Sequence, residues 1–428
     1  MNDKSVGHNR RDFIKTTAAA TTALAAMSVP RFVHAGVDET IKYGLIGCGK
    51  RGSGAAVNAM EADPSARLVA MGDTFEDSAL NAREAIKRDA PKTGQMAVAD
   101  DHIFSGFDAY KKVIDSGVDV VILTTPPHFR AEHLKYAIDK GKHAFVEKPV
   151  ATDVPRVHEV AETCEEAKKK TLAVMSGLCW RYAPKVTETI ARIQDGAIGD
   201  IVAIESHYNT GTEWYRGDEP KWSRMEYQIR NWLYYTWLGG DHIVEQAIHS
   251  LDKTAWLQGD ASPKRAYGMG GRQQRVDKKF GNIFDHHTVF YEYPSGIRVY
   301  FTCQRQDNCG KFVDEVVLGT KGKAQVIVGK IDGEKPWRYS GPGGRQSMYV
   351  NEHKAMIKSI RDGKPINSAN YMCNSTLIAI MGRMCTYTGQ EITWDKLLQS
   401  KERLGPEKYE WGNVPEPTVA IPGKTKFV

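Results

Sequence analysis

Ile41-Lys42-Tyr43-Gly44-Leu45-Ile46-Gly47-Cys48-Gly49-Lys50-Arg51-Gly52 places a short apolar run directly ahead of three glycines in the spacing G-x-G-x-x-G. Each glycine in that spacing has its own physical task. Gly47 permits a tight turn out of a strand, Gly49 lets the backbone approach a pyrophosphate, and Gly52 lets the next helix pack close to the strand. That helix, predicted over 55–60, presents free N–H groups and the positive end of its dipole to phosphates. A second apolar run, 66–71, leads to Asp73. A carboxylate about 20 residues past the last glycine accepts from a ribose 2′-OH and repels a 2′-phosphate. The stretch reads as a dinucleotide site that favours NAD over NADP, with Gly47, Gly49, Lys50, Arg51, Gly52 and Asp73 against the cofactor. Cys48, inside the loop, reads as a small residue beneath the cofactor rather than a redox group.

Outward from this stretch the pattern alternates. Short apolar strands are predicted at 41–46, 68–71, 118–123, 143–146 and 172–175, with amphipathic helices between them. Such alternation indicates a parallel sheet covered on both faces, a Rossmann domain over 36–178. After Trp180 the character changes. A helix over 185–194 and a strand over 201–207 precede a long aromatic stretch and a helix over 241–257. Runs at 288–293 and 297–304 flank Pro-Ser-Gly, and runs at 315–318 and 324–328 flank Gly-Thr-Lys-Gly, which favours antiparallel neighbours. The expected fold class is therefore α/β, an N-terminal Rossmann domain followed by an α/β domain, 179–400, with an open, mainly antiparallel sheet. Helices near 352–362 and 375–388 are expected to close that second domain, and a Pro- and Gly-rich tail, 401–428, to lie across the surface.

The chain has 428 residues, 41% hydrophobic and 26% charged, as a soluble globular protein of two domains does. A formal charge of +6 is small for this length and gives no support to nucleic-acid binding. The seven cysteines show no zinc-like spacing, although Cys303 and Cys309 are close enough in sequence to pair. At the N-terminus, Arg10-Arg11-Asp12-Phe13-Ile14-Lys15 precedes a soft apolar run and Val33-His34-Ala35. Residues 1–35 resemble a twin-arginine export signal, with Asn9 where Ser or Thr is usual, and the run is too short and too rich in Ala and Thr for a good spanning helix. The expectation is a periplasmic protein that meets the membrane only during export. Such a protein folds before crossing and holds NAD tightly, because little free NAD exists outside the cytoplasm.

Two motifs fall at the carboxyl ends of strands, where open α/β sheets bind ligands. Thr124-Thr125-Pro126-Pro127-His128 follows the fourth predicted strand, and Glu147-Lys148-Pro149 follows the fifth. Thr125, Pro126, His128, Glu147 and Lys148 are accordingly expected at the cofactor. A lysine beside a nicotinamide can hydrogen-bond a substrate oxygen and offset alkoxide charge. Further on, Gly239-Gly240-Asp241-His242-Ile243-Val244-Glu245-Gln246-Ala247-Ile248-His249-Ser250-Leu251-Asp252, if helical, puts His242, Glu245, His249 and Asp252 on one face. His249 is the proton acceptor of this reading and Glu245 or Asp241 orients it or a second hydroxyl. A satisfied surface histidine and a zinc site of His242, Glu245 and His249 are the competing readings of the same pattern. Nicotinamide chemistry needs no metal, so none is expected. Aromatic density between Tyr208 and Trp237, interleaved with arginines, suits the C–H faces of a sugar or a subunit interface equally. Arg181, Tyr208, Trp214, Tyr215, Trp232, Asp241 and His242 are the substrate-binding candidates.

Together, Gly47-Cys48-Gly49-Lys50-Arg51-Gly52, Thr125-Pro126-Pro127-His128, Glu147-Lys148-Pro149 and Gly239-Gly240 with His249 resemble the Gfo/Idh/MocA oxidoreductases. The resemblance spans 41–395. It implies hydride exchange between a nicotinamide and a sugar, glycoside or polyol, and assembly as a homo-oligomer, a dimer or tetramer, through the open sheet. Lys148 matches the family's catalytic lysine and His249 its catalytic histidine. The family usually has Asp four residues before that histidine, where this chain has Glu245. Some exported members oxidise a sugar hydroxyl only transiently, eliminate the group at C1, add water and reduce the ketone again, which is glycoside hydrolysis. Net formation of a keto-sugar is the simpler outcome and the one expected first. A non-catalytic sugar-binding protein of the same fold is the remaining alternative, which the presence of both Lys148 and His249 opposes.

Overall fold

The computed structural model describes residues 39–342 and 345–428; the export-signal expectation lies outside them. A first sheet orders its strands β3-β2-β1-β4-β5-β6, all parallel. These are β1 (Lys42–Ile46), β2 (Arg67–Asp73), β3 (Ile103–Ser105), β4 (Val120–Leu123), β5 (His143–Val146) and β6 (Val174–Ser176). Every residue of β4 and β5 is buried, as in a central strand covered on both faces. The order reverses direction between β1 and β4, the switch point at whose carboxyl ends open α/β sheets bind ligands.

The second sheet has nine strands, ordered β14-β13-β12-β11-β7-β10-β9-β8-β15. Its centre is β7 (Ile201–Thr210), which runs parallel to β10 (Arg298–Arg305) and antiparallel to β11 (Phe312–Gly319). The β8 (Arg265–Gly271), β9 (His286–Glu292) and β10 strands form an antiparallel run, and β12 (Gly322–Gln325), β13 (Lys330–Gly333), β14 (Trp337–Arg338) and β15 (Ile392–Thr393) complete the edges. The sheet is thus mostly antiparallel, as the hairpin turns imply, with one parallel pair that they do not. Ile204, Val299, Phe301 and Val317 face inward, against helices Ile248–Leu257 and Ala369–Thr388. Tyr267, Met269, Tyr300, Phe312 and Leu318 point from the other face into solvent.

Three expectations need correction. The helix expected over 241–257 is broken: a short helix His242–Glu245 ends at Gln246, and a new one starts at Ile248. The helix Arg345–Arg361, assigned from sequence to the second domain, packs on the first, where Met356 and Ile357 join Ala55, Ala59 and Phe145 in one apolar cluster. Cys303 and Cys309 do not pair; all seven cysteines are free, and the Cys303 thiol sits 3.5 Å from His242 Nε2.

Candidate active site

The glycine loop has three different environments. Gly47 has φ +95°, and a Cβ there would lie 2.5 Å from the Thr125 amide nitrogen. A Cβ on Gly52 would collide with the Gly47 carbonyl oxygen and reach to 2.6 Å from Thr124 Oγ1. Both glycines are required by the protein's own packing. Gly49 is not: it is exposed, has φ −74°, and a Cβ on it would meet nothing within 4 Å. The room above Gly49 opens at the N-terminus of helix Lys50–Ala62, whose first turn receives no side-chain cap. An open cradle beside uncapped N–H groups fits a pyrophosphate, so the residues present suit a dinucleotide. Asp73 stands at the end of β2, half-buried. Its Oδ2 accepts from the Cys48 N–H at 2.6 Å and its Oδ1 from the Phe75 N–H at 3.0 Å. Burial raises its pKa against these hydrogen bonds.

Arg51 links this loop to the Glu-Lys-Pro motif. Its Nε donates to Glu147 Oε1 at 2.5 Å, and a second nitrogen lies 3.3 Å from Glu352. Burial opposes ionisation of Glu147, but the charges of Arg51, Lys148 and Arg130 outweigh it and hold the carboxyl below its usual value. Arg130, which the sequence reading missed, is buried and donates to the carbonyls of Thr125, Glu147 and Pro149. It joins the two strand-end motifs. Lys50 is exposed, and Pro126 precedes the turn Pro127–Phe129. His128 is 1% exposed and packs under Tyr409 and Trp237, bonding the Tyr409 hydroxyl at 2.8 Å, so it supports the loop from beneath.

The break at Gln246 has a chemical consequence. The His249 N–H donates to Gln246 at 3.3 Å, which leaves the Glu245 carbonyl free of its helical partner. Lys148 Nζ donates to that carbonyl at 2.6 Å and to Glu245 Oε1 at 3.3 Å. The ammonium is thereby aimed, with a third donor left over. Glu245 Oε2 and His249 Nδ1 are buried without a hydrogen-bond partner. Burial first, then the charges of Lys148, Lys253 and Arg51, hold the His249 pKa well below 6.5, so its ring is neutral at neutral pH and can take a proton. The backbone carbonyl of His249 is gripped by Lys253, whose ammonium lies 3.2 Å from Glu315 in a fully buried pair that seats the helix on β11. Tyr208 lies near enough for the charges of Lys148 and Glu245 to act on its hydroxyl, with the Arg305 guanidinium 5.7 Å from its ring. Glu213 completes this rim, 2.7 Å from Arg305 and 3.1 Å from the Gln246 amide.

Not every candidate joins this cluster. Arg181 is held by Asp252 at 2.8 Å and Asp260 at 2.5 Å and stacked 4.1 Å from the Tyr371 ring, a structural position. Asp252, one turn from His249 on the same helix, is taken up by Arg181 and by the Ser375 hydroxyl. Asp241 and His242 are also corrected as substrate contacts, since both are buried. Asp241, at φ +75°, accepts from the Tyr387 hydroxyl at 2.6 Å and the Phe284 N–H at 2.8 Å, with the rings of His242 and His287 2.7 and 3.4 Å away. Among the described residues these three could gather round a metal ion. His242 faces Asp241 and Cys303 while Glu245 faces Lys148, so the His242–Glu245–His249 zinc arrangement does not form. Trp214 and Trp232 pack against each other at 6.1 Å, and Trp232 abuts Gly239. Tyr215 bonds Tyr227 and lines a separate cavity of about 1010 Å³ with Arg272 and Glu416. No helix among the described residues is long and apolar enough to cross a membrane.

Comparison with known proteins places the fold in a family. Residues 41–176 match the oxidoreductase family with an NAD-binding Rossmann fold, and residues 186–325 match the GFO/IDH/MocA C-terminal domain. A glycosyl hydrolase family 109 protein of Shewanella sp. (strain ANA-3) is 29% identical over 230 residues, 49% of this chain and 47% of that protein, so the match spans about half the length of that relative. The scyllo-inositol 2-dehydrogenase (NAD(+)) of Bacillus subtilis (strain 168) is 24% identical over 69% of this chain and 75% of its own. The aldose-aldose oxidoreductase of Caulobacter crescentus, solved with glycerol, superposes with a TM-score of 0.63 at 19% identity, covering 83% of this chain and all of that one. With both of the family's domains matched in order, over 41–176 and 186–325, the chain belongs to the Gfo/Idh/MocA oxidoreductase family.

Proposed function

We propose that this protein exchanges a hydride between NAD and a hydroxyl-bearing carbon of a sugar, glycoside or polyol. The observation that carries the reading is the pairing of Lys148, aimed by the Glu245 carbonyl, with the neutral, unpartnered His249 ring at the carboxyl ends of the strands. The Gly47–Gly52 loop would hold the pyrophosphate and Asp73 the ribose, while the strand ends at Thr125 and Glu147 flank the crevice. When bound, NAD supplies the hydride acceptor. Lys148 offers its free donor to the substrate oxygen and offsets the charge that grows there. His249 takes the hydroxyl proton. Glu245 fixes Lys148 on one side and presents a free carboxylate oxygen to a second hydroxyl. Tyr208 and the Glu213–Arg305 pair form the polar and aromatic wall that a polyol needs.

A second reading is redox-neutral glycoside hydrolysis, favoured by the family 109 hydrolases among the relatives. The same proton acceptor serves both, because oxidation at one carbon acidifies its neighbour. Mass spectrometry of the protein mixed with a glycoside panel separates them. Loss of two hydrogens from the sugar marks dehydrogenation, and aglycone release without redox change marks hydrolysis; neither product from any panel member refutes both. The proposal extends to tight retention of NAD by a protein exported to the periplasm, supported by Arg10 and Arg11 ahead of an intact glycine loop. It extends also to a dimer or tetramer formed over the apolar outer face of the second sheet, where Tyr267 stacks on Phe290 and Phe290 abuts Tyr300.

A further inference from the structure

The tail after Lys401 is pinned at two places. At its start Glu402 pairs with Arg383 at 2.7 Å, Arg403 with Glu159 at 2.6 Å, and the Leu404 N–H donates to Asp153 at 3.1 Å. Further on, the Gly412 carbonyl accepts from the Met225 N–H at 3.1 Å and Glu416 pairs with Arg224 at 2.7 Å, both on the helix Arg224–Arg230 within the aromatic stretch of the second domain. The segment between these anchors therefore crosses from the Rossmann domain to the second domain as a strap.

That segment carries Tyr409 and Trp411 over the carboxyl ends of β2, β3 and β4. The Trp411 ring is 5.7 Å from Phe75, two residues beyond Asp73, and 4.7 Å from Phe107, two residues beyond the end of β3. Tyr409 lies 5.2 Å from Phe129, in the turn after β4, and bonds His128. Despite these neighbours Trp411 remains 49% exposed, an unusual state for an indole held by two other rings. The base attached to a ribose at Asp73 has to lie just past the end of β2, beside Phe75. A purine there meets aromatic faces, which stack on nucleobases irrespective of sequence.

We infer that Trp411, carried on this strap, is a wall of the adenosine end of the dinucleotide site and slows the release of NAD. The inference rests on the dinucleotide reading and adds to it residues outside both matched family domains. Because the strap is tied to both domains, the cofactor's base leaves only when the strap lifts or the ring swings aside. The neighbouring Arg230 guanidinium packs on the Phe75 ring at 3.9 Å.

The test is the release rate of reduced cofactor from the full-length protein, followed by nicotinamide fluorescence during a chase with excess NAD. Trp411→Ala should raise the rate by about tenfold, the loss of one base–aromatic stack, whereas Trp411→Phe should stay within about threefold of the parent. Glu416→Ala, which loosens an exposed anchor without touching the wall, should also speed release. Trp411 is a half-exposed side chain, so thermal melts of the cofactor-free variants should lie close to the parent's. Release from both Trp411→Ala and Glu416→Ala at the parental rate would overturn the strap while leaving the dinucleotide site standing. A parent that binds no reduced cofactor would remove the dinucleotide reading and the strap with it.

Discussion

Replacement of Gly49 by alanine separates what the fold needs from what the cofactor needs. At φ −74° and ψ 178° the backbone of Gly49 is ordinary extended chain, and an added methyl meets no protein atom within 4 Å. Gly49→Ala should therefore leave the cofactor-free protein as stable as the parent or raise its stability by about 0.4–1 kcal/mol through the unfolded chain's lost freedom. Gly52→Ala is the opposite case. Its methyl has no room beneath the Gly47 carbonyl and Thr124, and the overpacking should cost about 1–3 kcal/mol. Gly47→Ala adds left-handed strain of about 1–2 kcal/mol to a contact with the Thr125 amide. NAD binding should order differently: Gly49→Ala should lose at least about 1.4 kcal/mol, or tenfold in affinity, because its methyl fills the space left for the pyrophosphate. Thermal melts without NAD and calorimetric titration with NAD measure the two quantities. Gly49→Ala that destabilises the apo protein as much as Gly52→Ala does, or that binds NAD like the parent, would refute the assignment of the cradle.

Acid should weaken the fold earlier than carboxylate titration alone would. Burial keeps His128 and His249 neutral and holds His133 and His353 down to about 3 and His143 and His242 to about 4. The unfolded chain binds these protons from about pH 6.5 downward while the folded chain does not, so stability falls as pH drops through that window, by about 1.4 kcal/mol per pH unit for each such histidine. Denaturant midpoints that stay flat between about pH 6.5 and 5 would contradict the buried neutral rings. At the outer face of the second sheet, Met269→Glu puts a charge on the exposed apolar surface and should convert an assembled protein to monomer in sedimentation, with the fold intact. An unchanged oligomer would place the interface elsewhere.

The fold was legible where its signals were local. The glycine spacing, the apolar strands and the acidic residue after the second strand lie within a few dozen residues of one another, and each has one physical reading. The strand-end positions of Lys148 and Thr125 followed from that pattern. What was not legible depends on partners far along the chain. Arg130 looks like a surface arginine until three carbonyls from two strand ends converge on it. Arg181 looks available to substrate until Asp252 and Asp260 arrive from 71 and 79 residues away. Periodicity predicted one helix through Gln246, since apolar positions on both sides of it suit a continuous face. The break is favoured instead by Lys148, 97 residues earlier, which takes the Glu245 carbonyl. Asp241 and His242 carry the composition of a site but are buried with His287 and Tyr387. The short strand β3 and the glycine-rich β8 carry too little β-branched character to be seen from sequence.

The central claim is that Lys148 stabilises a substrate oxygen while NAD, held elsewhere in the crevice, takes the hydride. Single-turnover reduction of bound NAD, mixed with a panel of sugars, glycosides and polyols and compared between the parent and Lys148→Met, measures it most directly. The account predicts reduction by the parent with at least one panel member and a rate about 10²–10³ lower in the variant, the usual loss for one oxyanion-stabilising donor, with NAD affinity nearly unchanged. A Lys148→Met protein that reduces NAD at the parental rate would contradict it.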